Sequence, residues 1–167
     1  FTSIKIVDEH GKQVKAGEMG EIIVSSPTVM RGYLSLPSLG GELVTGDIGY
    51  VDKEGDLWLV DRRSDLIITG GENVYPSEVE TILRQHPAVS DVCVVGLPDA
   101  EWGHRVGAMI AVREGQRLTI PEITMFSRAR LAGYKQPRMI VFVDQLPQTS
   151  SGKVHRAAVI NELLSNI

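Results

Sequence analysis

An α+β fold is predicted for this chain, with a small β-rich segment over residues 1–61 and a compact α+β domain over residues 62–167. Three observations predict it. Up to residue 61 there are only short apolar runs parted by turn residues. Beyond Asp61 helical spacings alternate with strands. Finally, 167 residues of which 43% are hydrophobic suffice for one domain with its own core plus a smaller remnant.

In the first segment Ile4-Lys-Ile-Val7 and Glu21-Ile-Ile-Val-Ser25 read as strands, separated by the turn residues of Asp8-Glu-His-Gly11 and Ala16-Gly-Glu-Met-Gly20. Asp47-Ile-Gly-Tyr-Val51 and Asp56-Leu-Trp-Leu-Val60 flank Asp52-Lys-Glu-Gly55, a hairpin connection. No helix is expected here, and so small a sheet exposes its edges and one apolar face unless further chain covers it. In the second segment Leu66-Ile-Ile-Thr69 reads as a strand, and Gly70-Gly71 as a flexible turn from that strand into a helix. Ser77-Glu-Val-Glu80 has the form of a capping box, with Val79, Ile82 and Leu83 on one helix face and His86-Pro87 at the end. Residues 89–97 and 106–112 are apolar strands. Thr119-Ile-Pro-Glu122 opens a second helix with Ile123, Phe126 and Leu131 as its buried stripe and Gly133 as its C-terminal cap. Residues 138–144 form a strand and residues 156–166 a last amphipathic helix. No internal repeat occurs.

Composition narrows the function classes. A net charge of −4 and a pI near 5.6 supply no basic face for nucleic acid. The single cysteine, Cys93, lies inside Val92-Cys-Val-Val95 and reads as a buried small hydrophobe, with no disulfide to make. The first seven residues lack the zones of a signal peptide, and no apolar run approaches the roughly 18 residues of a membrane span. A cytoplasmic setting is expected. The four histidines show no metal-ligand spacing, so no metal site is expected.

Four short stretches carry candidate chemistry. Thr45-Gly46-Asp47 is, taken alone, an ordinary turn, and Asp61-Arg62-Arg63-Ser64-Asp65 a solvated charged one. Gly70-Gly71-Glu72-Asn73 is a flexible turn that also lets a backbone approach a thin ligand closely. Lys153, in Pro147-Gln-Thr-Ser-Ser-Gly-Lys-Val-His-Arg156, is by itself a surface charge.

Taken in order, these stretches, with Leu66-Ile-Ile-Thr-Gly-Gly-Glu-Asn-Val-Tyr-Pro76, resemble the C-terminal third of acyl-CoA synthetases of the adenylate-forming (AMP-binding) family. Within that family the run is most similar to 2-succinylbenzoate–CoA ligases, which serve menaquinone synthesis. The resemblance implies that residues 1–61 are the β-rich end of a large AMP-binding domain and residues 62–167 its mobile C-terminal domain. It implies that Asp47 and Arg62 hold the ribose of ATP and of the acyl-adenylate. Lys153 serves carboxylate adenylation, and Ser64 stands at the hinge, where many members carry aspartate or lysine. Gly70, Gly71, Glu72, Asn73, Trp102, Gln136, Pro137 and Arg138 fall where the family contacts coenzyme A. Trp102 either stacks on adenine or covers core, and Arg138 suits a phosphate.

ATP, coenzyme A and a small carboxylic acid are the implied substrates, with Mg2+ held mainly by residues outside this chain. A homodimer formed through such residues is compatible with the resemblance. The phosphate-cradling loop of such enzymes does not occur in the sequence, so the chain is expected to be a fragment that is inactive alone. Fatty-acid and aryl-acid CoA ligases share most of these stretches, so the acid stays open between them and 2-succinylbenzoate. Two readings of another kind stand beside the acid–CoA ligase: a carrier-dependent adenylation module, and a non-enzymatic interaction domain, which leaves the order of Asp47, Arg62 and Lys153 without a reason.

Overall fold

The computed structural model describes residues 2–166, so Phe1 and Ile167, the end residues of the two expected segments, lie outside the described residues. The chain divides into two compact units, Phe1–Ser64 and Asp65–Ile167. The first is a four-stranded antiparallel sheet in chain order, β1 (Ser3–Val7), β2 (Gly20–Ser25), β3 (Glu42–Val51) and β4 (Leu57–Arg62). Alternation along these strands buries Ile6, Ile22 and Ile48, with Val7 joining them. Val44, Leu57, Trp58 and Leu59 stay exposed, as expected of a small open sheet. Tyr50 and Trp58 are cross-strand partners whose rings stack 6.4 Å apart. A 3-10 turn, Arg63–Asp65, follows β4.

The second unit holds β5 (Ile67–Thr69), β6 (Glu72–Val74), α1 (Pro76–Arg84), β7 (Val89–Asp99), β8 (Gly103–Val112), α2 (Ile120–Arg128), β9 (Met139–Val143) and α3 (Arg156–Leu164). Its sheet runs β6-β5-β8-β7, and β9 lies parallel to β8. The period of two along β7 and β8 sorts their side chains into two cores. Val92, Val94, Val106, Ala108 and Ile110 join Val79 and Leu83 of α1 and Ile123 of α2. Cys93, Val95, Leu97, Met109 and Ala111 join Val159 and Leu163 of α3. Helices therefore cover both faces of the sheet, which is why its central strands read as unbroken apolar runs.

β7 is an edge strand, and charged side chains close its outer side. The Val94 N–H donates to Glu80 Oε1 at 2.9 Å, and the Val94 carbonyl accepts from Arg156 Nη1 at 2.6 Å. The Val92 carbonyl accepts from Arg84 Nη2 at 3.1 Å. Backbone groups that would otherwise be unpaired or open to another strand are thus satisfied.

Three local expectations are corrected. Gly70-Gly71 does not lead into a helix; it is the two-residue turn of a β5–β6 hairpin in which Thr69 faces Glu72 and Ile67 faces Val74. Both glycines have positive φ, +58° and +84°, the condition of the primed turns that match strand twist. Ser77 does not cap α1, because the helix already begins at Pro76 with Tyr75 as N-cap. Proline fixes φ and has no N–H to satisfy, and Glu80 turns to β7 rather than back to a cap. Gly133 does not cap α2, which ends at Arg128 with Ala129 as C-cap. Gly133 instead opens the 3-10 turn Gly133–Lys135. The Thr119–Glu122 capping box does form, with the Thr119 N–H donating to Glu122 Oε2 at 2.8 Å.

Candidate functional site

The site residues fall into three groups, one in the first unit and two in the second. In the first, three residues of β3, 45–47, stand opposite Ile22 alone, since Val44 pairs with Ile23 and Ile48 with Glu21. This bulge explains the Thr-Gly-Asp order. Gly46 takes the left-handed φ of +73° that the bulge requires. The Thr45 hydroxyl donates to the Ile22 carbonyl at 2.9 Å and accepts the Asp47 N–H at 3.0 Å. Asp47 is thereby set opposite Arg62 on β4, and Arg62 Nε lies 2.8 Å from Asp47 Oδ1. The carboxylate is about three-quarters covered and the arginine mostly exposed. A fixed acceptor carboxylate thus stands beside a fork of exposed donors.

In the second unit a concave region of about 530 Å³ is lined by Thr69, Gly70, Glu72, Trp102, Arg105 and Arg138, together with Asp99, Val106 and Tyr134. Its architecture follows from the turn between β7 and β8. Asp99 Oδ1 accepts the N–H groups of Glu101 and Trp102, both at 3.0 Å, and these bonds, Trp102 first, hold the Asp99 carboxyl below its ordinary pKa. The turn sets the Trp102 ring against Gly70, where a Cβ would approach Trp102 Cε3 to 2.6 Å. The Gly70 N–H also donates to the Trp102 carbonyl at 3.0 Å. Trp102 is 53% exposed, with its ring against Gly70.

The other residues expected around coenzyme A are placed variously. Gly71 and Asn73 are exposed on the hairpin, Pro137 is buried, and the Gln136 side-chain amide donates inward to the Leu131 carbonyl at 3.2 Å. Arg105 was not singled out by sequence reasoning. Its Nε is buried without a hydrogen-bond partner among the described residues. The only signal for it is an arginine at the start of an otherwise apolar strand.

Lys153 occupies a short hairpin. The Thr149 N–H donates to the Lys153 carbonyl at 2.8 Å, the Lys153 N–H to Thr149 Oγ1 at 3.3 Å, and the His155 N–H to the Pro147 carbonyl at 2.8 Å. The side chain is exposed, as is that of His155. Ser64 lies exposed in the 3-10 turn between Arg63 and Asp65. Among the described residues no group of three or more His, Cys, Asp or Glu side chains is placed to hold a metal ion, and no helix is long and apolar enough to cross a membrane.

Residues 78–153 match the AMP-binding enzyme C-terminal domain. The chain is 43% identical over 162 residues to a 2-succinylbenzoate–CoA ligase of Geobacillus sp. (strain WCH70), covering 93% of this chain and 33% of that protein. It is 41% identical over 165 residues to a feruloyl-CoA synthase of Amycolatopsis sp., covering 95% of this chain and 34% of that one. Among solved structures it superposes on ATP-bound MatB from Rhodopseudomonas palustris with a TM-score of 0.89 at 32% identity, over 96% of this chain and 34% of the other. The chain thus spans about a third of the length of the curated relatives it matches.

Proposed function

Because the chain belongs to the adenylate-forming, AMP-binding enzyme family, we propose that it serves as the C-terminal part of an ATP-dependent acid–CoA ligase. Such an enzyme joins a carboxylate to the α-phosphate of ATP, expelling pyrophosphate, and then moves the acyl group from AMP to the thiol of coenzyme A. Residues 1–61 close the larger AMP-binding domain, and residues 62–167 are the domain that swings about Ser64 between the two steps. The observation that carries this reading is the Asp47–Arg62 pair, brought to 2.8 Å across two strands. An ionised carboxylate accepts both hydroxyl protons of a ribose diol, while the exposed guanidinium beside it suits the same polyhydroxyl and phosphate surroundings.

Lys153 brings a mobile ammonium to the adenylation step. Two anions must meet there, and the cation offsets their repulsion and stabilises charge spreading over the α-phosphate in the transition state. In the second step the concave region beside the Gly70-Gly71 hairpin receives coenzyme A, with Arg105 and Arg138 as phosphate donors and Trp102 as a flat wall. Magnesium normally accompanies ATP, but the described residues do not fit a metal site, and none of these roles depends on it. A cytoplasmic setting and a homodimer formed through residues outside the chain belong to the same proposal.

The acid is 2-succinylbenzoate on this reading, supported by the 43% identity, although the feruloyl relative at 41% is nearly as similar. The test is to assay the complete ligase containing this chain with ATP, coenzyme A and a panel of acids, following pyrophosphate and thioester separately. Thioester formation on coenzyme A with 2-succinylbenzoate preferred is the expected result. Transfer only to a carrier-borne phosphopantetheine would replace the reading with a carrier-dependent module. The 167-residue chain alone should release no pyrophosphate.

A further inference from the structure

Three residues beyond Lys153 stands an arginine whose guanidinium is engaged on every side within the second unit. Arg156 Nη1 donates to the Val94 carbonyl at 2.6 Å, Nη2 to Glu80 Oε1 at 3.1 Å, and Nε lies 3.1 Å from Asp65 Oδ2. Glu80 is only 7% exposed, and its Oε1 also accepts the Val94 N–H. A carboxylate so covered needs a cation held in place, and the rigid fork of arginine holds its own direction in return. Three elements thus converge on one planar group: α1 through Glu80, β7 through Val94, and the start of the unit through Asp65.

The Lys153 hairpin lacks such fixing of its own. Its hydrogen bonds run from Thr149 to Lys153 and from His155 to Pro147, closing the loop upon itself. Buried Leu146 anchors one end, while Val154, which packs partly against the second core, and Arg156 anchor the other. Apolar contacts resist withdrawal but set direction poorly, whereas a multiply bonded guanidinium sets both.

We propose that Arg156 is a positioning residue for Lys153. Through Glu80, Val94 and Asp65 it fixes the exit of the loop, and so the direction in which the lysine is presented for adenylation. The proposal rests on the reading of Lys153 as the adenylation lysine. It acts by geometry, since a misplacement of about 1 Å at a reacting group costs roughly 10²-fold in rate.

The test uses R156K, which keeps a cation beside Glu80 but loses the fork. In the 167-residue chain, amide hydrogen exchange at Thr149 and His155 should quicken by about tenfold, while Met109 in β8 keeps its protection. In the complete ligase, single-turnover adenylation should fall by roughly 10-fold to 10²-fold, and thioester formation from supplied acyl-adenylate should stay near wild type. A purely structural role would not separate the two half-reactions. Unchanged exchange in the loop overturns the proposal. So does undiminished adenylation in R156K where K153A is impaired, an outcome that leaves the ligase reading standing. If K153A adenylates as wild type, the assigned role of the lysine fails and the proposal with it. Should R156K lose protection throughout, D65N removes one arm and leaves the Glu80 pair intact, and unaltered exchange at Thr149 and His155 there overturns the proposal.

Discussion

At the scale of single residues, chemistry depends on where a charge is held and what it can reach. In the complete ligase, K153A should slow adenylation by roughly 10²–10³, the usual effect of losing one preorganised donor to the transition state. Pyrophosphate release should report that loss, while thioester formation from supplied acyl-adenylate should scarcely change. Asp52 makes a different prediction. Its carboxylate accepts Trp58 Nε1–H at 2.6 Å and the Asp56 N–H at 2.8 Å, and these bonds, the Trp58 bond first, hold its pKa below the ordinary 3.8. A depressed carboxylate stabilises the fold fully above its unfolded pKa, and that stabilisation is lost as pH falls through the folded value. D52N should therefore lower the melting temperature at neutral pH, by Trp58 fluorescence, and the gap from wild type should close below about pH 4. Of the site residues, Asp47, Arg62 and Lys153 were legible as an ordered set. The contact between Asp47 and Arg62 was not, because it depends on a bulge opposite Ile22 that no local pattern announces. Arg105 was hidden for a similar reason, since its meaning comes from burial rather than from its neighbours in sequence.

At the scale of elements, local rules succeeded where one residue decides the outcome and failed where two compete. Thr119 and Glu122 satisfy each other's backbone groups, so T119A should destabilise the second unit by about 1 kcal/mol in denaturant unfolding. The same pattern at Ser77 was overridden by the preceding proline, which starts the helix two residues sooner, and Glu80 was drawn to the open edge of β7. Gly70-Gly71 was legible as a break but not as a hairpin, because β6 is only three residues long and is recognisable mainly by its partner. β7 and β8 were legible, since burial on both faces writes itself as continuous apolar sequence.

At the scale of the whole molecule, the linking turn is pinned on both sides. Arg63 Nη1 meets Glu21 Oε2 at 2.8 Å inside the first unit, and Asp65 pairs with Arg156 inside the second. S64P, which restricts that backbone, should leave adenylation nearly intact and impede transfer to coenzyme A, with acyl-adenylate accumulating in rapid-quench measurements. Unchanged thioester formation would remove Ser64 from the pivot. The layering of the second unit has a practical consequence of its own. Cys93, 1% exposed, lies in the core that Val159 and Leu163 of α3 close, and burial pushes its thiol pKa up to about 11. No other cysteine competes for reagent. Alkylation must therefore wait until the last helix lifts from the sheet, and its rate, set against that of an unhindered thiol, times how often the layer carrying the lysine loop's exit comes undone.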